Sequence, residues 1–436
     1  MPRGVTACEP AGGPSSPDTG ATRQATTPPG DKRSARVADM SSVEELHVAA
    51  HETAFARASH VAASAPAAQA PATPAPASLS ASTQQPPSCV APAQPPHPGG
   101  LGELDLEGLL THPHLGVLVL DFMGNDTRAA TALRGTCRGA RDAVAAHRWR
   151  DAGTCIVWPS RWRAAFPLAT VANVSRGWSG PPTALSDADF VHFRGLRSLV
   201  MRGCSHVTDA AFTHLRGIVT LDMSGCSQAT ITDAAFTHLR GIATLDMSGC
   251  SQATITDAAF AHLAGIATLD MSSCNQSSIT DAAFAHLRGI RKLRMRGCNQ
   301  PTVTDGAFAH LAGIHTLDMS GCKAITDGAF VHLRGIHKLV MTNCVQTTIT
   351  DAAFAHLGGI DTLLMAWCNQ ATITDRAFAR LGSLRTLGMS GCNQATITDA
   401  AFAHLGSLHT LSLVGCNTTT ISAAVRSRAL ALSKKA

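Results

Sequence analysis

Tyrosine is absent from the 436 residues, aromatics make up only 4% and charged residues only 15%. With so few charges, of which Lys and Arg are scattered rather than massed, the net charge of +5 gives no support to a nucleic-acid partner. Long apolar runs are missing too. The longest, LGVLVLDFM from Leu115 to Met123, falls far short of the ~20 residues a membrane-spanning helix needs. The opening MPRGVTACEPAGG has no apolar core, so no signal peptide and no membrane association are expected. There is no phosphate-cradling glycine loop, no nucleophile elbow and no HExxH pair. The expectation is a protein that is not an enzyme and uses no cofactor.

What the chain does have is repetition. Cysteine recurs from Cys204 to Cys416 in steps of 24 residues, shortened to 22 after Cys204 and after Cys322. Phenylalanine from Phe190 to Phe402 and leucine from Leu199 to Leu411 keep the same beat. Apolar residues at fixed offsets with a period in the twenties are the mark of a solenoid. Of the 14 cysteines, ten sit in this one column. A column is a packing position rather than a disulfide framework, which points to a reducing compartment, the cytoplasm or the nucleus.

Within one copy, Ile218, Leu221 and Met223 read I-x-x-L-x-M, and the last two alternate as one face of a short strand does. After Cys226 comes a loop, then AAFTHL, where Phe236 and Leu239 share a helix face. Thr232 and Asp233 stand where a helix begins, as a cap and a favourable negative charge. Each unit is therefore strand, loop, short helix, loop. A single copy cannot bury enough apolar surface to offset its ordering entropy, so neighbours must stack. This pattern resembles the cysteine-containing leucine-rich repeat, L-x-x-L-x-L-x-x-C-x-x-I-T-D, with Met for the second strand Leu and Phe for the helix Leu. It implies an α/β solenoid, a horseshoe of about ten 22–24-residue repeats over 187–421.

Ahead of the repeats, residues 1–103 are rich in Ala, Pro, Ser and Thr and read as a disordered tail. Residues 104–150 carry apolar residues at helical spacing. Leu115, Leu118, Val119 and Phe122 form one face, Asp126 or Thr127 can cap a second helix with Ala130, Leu133 and Cys137, and Ala140 and Val144 fit a third. This segment resembles an F-box. His112-Pro113 stands where that family has Leu-Pro, and Cys137-Arg138 matches its Cys-Arg step. Residues 151–186 hold Trp158, Trp162 and Trp178 and are expected to pack the helical cluster onto the first repeat. Residues 422–436, Ala- and Leu-rich, are expected to form a C-terminal cap helix.

The cysteine column and a nine-member histidine column running from His192 to His404 invite a metal reading. Geometry opposes it. Side-by-side helices lie ~8–10 Å apart, whereas zinc ligands must lie within ~4 Å of each other. The cysteines are expected to pack as small hydrophobes. On the concave face most copies show Thr, Asp, Ser, as in Thr220, Asp222 and Ser224, a weakly acidic stripe. Arg202, Lys292, Arg294 and Arg296 break it with cations. Thr362, Leu364 and Ala366 are unusually apolar, and Trp367 takes a position usually held by Gly. Arg and Trp dominate interface energies, so Arg202, Lys292, Arg294, Arg296, Leu364 and Trp367 are the candidate partner-binding residues.

Together the two resemblances indicate the F-box/leucine-rich-repeat receptors of SCF-type cullin–RING ubiquitin ligases. They imply that the segment holding Pro113, Leu115, Leu118, Phe122, Leu133 and Cys137 docks on a Skp-type adaptor in a cullin complex. The repeats would then hold a protein substrate, in a chain that is monomeric within a hetero-complex. The alternative is a repeat scaffold or effector with no ubiquitin role.

Overall fold

The computed structural model describes residues 106–433, apart from 113, 124–125 and 176–184. The tail 1–103, Pro113 and Trp178 therefore lie outside the described residues.

The first part is helical: α1 Leu106–Thr111, α2 Leu115–Phe122, α3 Thr127–Leu133, α4 Arg138–Ala146 and α5 Pro159–Ala165. Local chemistry sets their starts. The Asp126 carboxylate accepts from the N–H groups of Arg128 and Ala129 at 2.8 and 3.1 Å and so caps α3. The Cys137 sulfur accepts from the Ala140 N–H and caps α4. Leu110, Leu120, Ala130, Ala140, Val144 and Trp149 form a small core, and the Trp149 indole donates to the Val144 carbonyl at 2.8 Å. Gly116 permits the close crossing of α1 and α2. A Cβ there would sit 2.1 Å from the Leu110 carbonyl oxygen.

The connector does more than pack. It supplies α5 and then β1, Val171–Asn173, which pairs in parallel with β2, Ser198–Val200. The sheet thus begins one strand before the cysteine column, without any of the repeat's markers. Trp162 is half-buried against both the small helical core and the repeat core, with Phe193 6.0 Å away ring to ring. Arg163 beside it donates to the carbonyls of His192 and Arg194, at 2.5 and 3.1 Å. Trp158 departs from the expectation. It is 56% exposed, with Arg161 over its ring.

The repeats then follow with three-residue strands: β3 Thr220–Asp222, β4 Thr244–Asp246, β5 Thr268–Asp270, β6 Lys292–Arg294, β7 Thr316–Asp318, β8 Lys338–Val340, β9 Thr362–Leu364, β10 Thr386–Gly388 and β11 Thr410–Ser412. All eleven strands pair in sequence order as one parallel sheet. The register is constant, so Leu221 lies beside Leu245 and Leu245 beside Leu269. This is a leucine-rich-repeat solenoid. The expected short helix is a single turn of four residues, such as Asp281–Phe284, and in the later copies it tightens to 3-10 geometry, as at Asp375–Phe378. One turn cannot hold itself together, since helix nucleation is costly. Its stability comes from the buried Phe and Leu beneath it.

Two ladders tie each copy to the next. The Asp257 carboxylate accepts both the N–H and the hydroxyl of Thr280 in the following copy, each at 2.7 Å. Thr280 meanwhile caps its own turn by accepting from the Ala282 N–H. The same staple runs from Asp187–Thr208 to Asp375–Thr398, and the Ser422 N–H closes it on Asp399. The second ladder is the cysteine column. The Cys274 thiol donates to the carbonyl of Met247 in the preceding copy at 3.2 Å, and its equivalents repeat this from Cys226 to Cys416. At the far end the helix Ala423–Ser433 covers the last strand. Ala429 joins the core, Val425 and Leu432 pack against it, and Arg428 donates to the Leu405 carbonyl at 2.9 Å.

Candidate functional sites

Two surfaces carry the residues expected to bind partners. On α2 the apolar residues divide. Gly116 and Leu120 are buried, while Val117, Leu118 and Phe122 are 51, 62 and 94% exposed. Leu115 is half-buried, and Leu133 and Cys137 pack against the helical core. The single face drawn from Leu115, Leu118, Val119 and Phe122 is thus split between core and solvent, because Leu120 joins Leu110 in the small helical core with Val119 packed against it, while Leu118 and Phe122 lie outside it. His112 caps this helix, its Nδ1 accepting from the N–H groups of His114 and Leu115.

The second surface is the open face of the sheet. Along β3 to β5 it shows Thr, Asp and Ser, and the aspartates are less exposed than a free acidic stripe. Asp222, Asp246 and Asp270 each accept from the N–H of the serine two residues on, at 3.1, 3.0 and 3.0 Å. The ends of this row are neutralised. Arg202 donates its Nε–H to Asp222 at 2.5 Å, and Arg294 lies 3.8 Å from Asp270. Asp246 in the middle has no such partner among the described ion pairs. Its carboxyl is pushed above the ordinary 3.8, first by burial and then by the neighbouring Asp270 and Asp222. Two of the expected partner-binding cations, Arg202 and Arg294, are therefore already engaged with carboxylates of this face.

From β6 the face changes. Lys292, Arg294 and Arg296 replace Thr, Asp and Ser, and Lys338 and Val340 replace Thr and Asp on β8. On β9 Leu364 leans over its neighbour. A Cβ added to Gly388 would meet the Leu364 Cδ2 at 2.8 Å. Trp367 sits at φ 59°, in the left-handed region that Gly225, Gly249, Gly297 and Gly321 occupy in other copies. A bulky side chain there is strained. Its ring covers Gly391, where a Cβ would come within 2.6 Å of it, and remains 55% exposed.

No protein-family model matches the chain, and neither does any curated protein. Solved structures do. The complex of TLR13 with ssRNA13 is 17% identical and covers 59% of this chain and 40% of that one, with a TM-score of 0.45. The Toll–Spatzle complex from Drosophila is 16% identical and covers 62% of this chain and 46% of that one, with a TM-score of 0.33. The chain spans less than half the length of either protein. The likeness concerns the fold alone.

The cysteine and histidine columns are accounted for by structure. Burial pushes the thiols up, Cys226 to about 11 and Cys250 to about 12, so they stay protonated donors. Among the described residues no three His, Cys, Asp or Glu side chains converge as metal ligands. Each of several histidines instead takes a hydrogen bond from an arginine one copy earlier. Arg194 Nε donates to His214 Nδ1 at 3.1 Å, and Arg216 and Arg240 serve His238 and His262 at 3.4 Å. No helix among the described residues is long and apolar enough to cross a membrane.

Proposed function

We propose that this chain is the substrate receptor of an SCF-type cullin–RING ubiquitin ligase. In this reading α2 and its neighbours dock on a Skp-type adaptor, and the open face of the repeat sheet holds a protein substrate. The observation that carries the adaptor half is the apolar edge of α2. Phe122, Leu118 and Val117 stand in solvent on a helix whose Leu120 is buried in the same small core as Leu110. Contiguous exposed apolar side chains beside a packed core mark a site that a partner covers. The sheet half rests on the fold, a rigid surface of strands with outward side chains that vary from copy to copy. Ubiquitin transfer itself belongs to other subunits, so the chain binds and positions.

The test is co-purification with a Skp-type adaptor. The wild-type chain should bring it down, and Leu118→Asp with Phe122→Asp should lose it while the melting temperature holds, since both side chains are exposed. A wild-type chain that binds no adaptor would leave the repeat scaffold without a ubiquitin role as the reading.

A further inference from the structure

The open face of β6 to β9 differs from the rest of the sheet in two ways that complement each other, and together they specify what binds. Its first part is cationic. Lys292 and Arg294 project from β6, Arg296 from the turn after it and Lys338 from β8, with Asp318 on β7 between them accepting the N–H and hydroxyl of its own Ser320 at 3.0 and 2.6 Å. Its second part is apolar. Val340 and Leu364 are half-buried where four copies have Asp, and Trp367, three residues after Leu364 in the same copy, stands 55% exposed. These departures fit one another. Leu364 lies in the space that Gly388 leaves, and the Trp367 ring lies in the space over Gly391. Trp367 is also held at φ 59°, a conformation that glycine adopts without strain in the same column. Local strain kept for an exposed aromatic side chain points to a role in binding.

We propose that this face takes an extended acidic protein segment bearing one large apolar side chain. The apolar side chain packs against Trp367 and Leu364, and carboxylates on one side of it meet Arg296, Lys292 and Lys338. Parallel strands are ~4.8 Å apart and an extended segment advances ~3.3 Å per residue. Three strand steps from β6 to β9 thus correspond to about four to five residues between the acidic group at Arg296 and the apolar anchor at Trp367. Charged groups at the edge of such a site set specificity and encounter rate, and the aromatic anchor carries most of the affinity. This deepens the substrate half of the proposed function and is independent of adaptor binding on α2.

A phage-displayed library of random linear peptides, selected on the full chain, tests it. The expected winners are acidic peptides with a Leu, Phe, Met or Trp separated from the acids by about four to five residues. Their binding should weaken at least about tenfold in Trp367→Gly and again in Arg296→Glu. The Trp367→Gly chain should melt no lower than wild type, since it restores the glycine that most copies carry there, so loss of binding there is not loss of fold. Winners without acidic residues, no winners at all, or winners that bind Trp367→Gly as well as wild type would overturn the proposal. A single-stranded RNA oligonucleotide serves as the competing probe. RNA bound with loss in Arg296→Glu and none in Trp367→Gly would assign the strip to polyanions instead. Adaptor co-purification by Trp367→Gly should equal wild type, so failure of the peptide site and failure of the adaptor site are read separately.

Discussion

Beneath β3 to β5 and beneath β6 to β9 lie the same side chains: Leu on the strand, then Met, Cys, Ile or Val, and Phe, nearly all fully buried. Above them the two regions diverge. The first shows a row of Asp and Ser, buried at Asp222 and half-buried beyond it, bonded within the face and neutralised at its ends by Arg202 and Arg294. The second shows cations, then Leu364 and Trp367. The first region satisfies its own polar groups, whereas the second leaves an aromatic ring in solvent over a strained backbone. A solenoid therefore separates stability from recognition by side-chain direction. Inward residues keep the arc, and outward ones are free to differ without disturbing it.

The largest expected effect tests whether the two regions share one core. Phe260→Ala and Phe354→Ala should each cost about 3–5 kcal/mol in denaturant unfolding, by equal amounts, because both rings are fully buried in equivalent places. Unequal losses would mean that the difference extends below the surface. Next comes the staple. Asp257→Ala removes the acceptor of the Thr280 N–H and hydroxyl and should cost about 1–3 kcal/mol, and Asp351→Ala, at the equivalent place beneath β9, should match it.

Smaller effects separate the outward rows. Asp222→Asn breaks the Arg202 pair and should lower the melting temperature slightly, as partly exposed ion pairs are worth ~0–1 kcal/mol. Asp246→Asn should do the opposite. A carboxyl whose folded pKa is raised favours the fold at acid pH and loses that contribution as pH climbs through the raised value. Neutralising Asp246 should therefore raise the melting temperature at neutral pH, and the gain should fade as pH falls to the ordinary 3.8. Equal shifts for the two variants would contradict the account of the row. The smallest effect belongs to Trp367→Gly, where relief of the left-handed strain offsets the lost packing over Gly391. The melting temperature should hold or rise. A fall as large as that of Asp257→Ala would make the ring a structural part of the arc.

Much of the fold is legible in the sequence because the period repeats the inward residues with few changes: Leu199 to Leu411, Phe190 to Phe402 and Cys204 to Cys416 all lie in the core. β1 is not legible, since Val171–Asn173 carries none of the markers and is recognised only by pairing with β2. Thr280 reads as a cap from its place before Asp281, but the reach of Asp257 into the next copy is a contact between residues 23 apart, which local pattern does not show. On α2, spacing identifies the apolar residues and not which of them the small core takes in. At the open face, replacement of Gly by Trp367 marks the candidate site in the sequence. The engagement of Arg202 and Arg294 with neighbouring carboxylates, and the rings and branches lying over Gly388 and Gly391, depend on cross-strand neighbours and emerge only in three dimensions.

The staple between each Asp and the following Thr also bears on the length of the chain. Every junction from Asp187–Thr208 to Asp375–Thr398 uses the same donor, the same acceptor and the same register, so the junction left after excising one whole copy from that stretch joins like with like. The arc can therefore grow or shrink by a unit without any new interface having to be invented. Such a change would alter how far Trp367 stands from α2, and with it the reach between whatever the two surfaces hold.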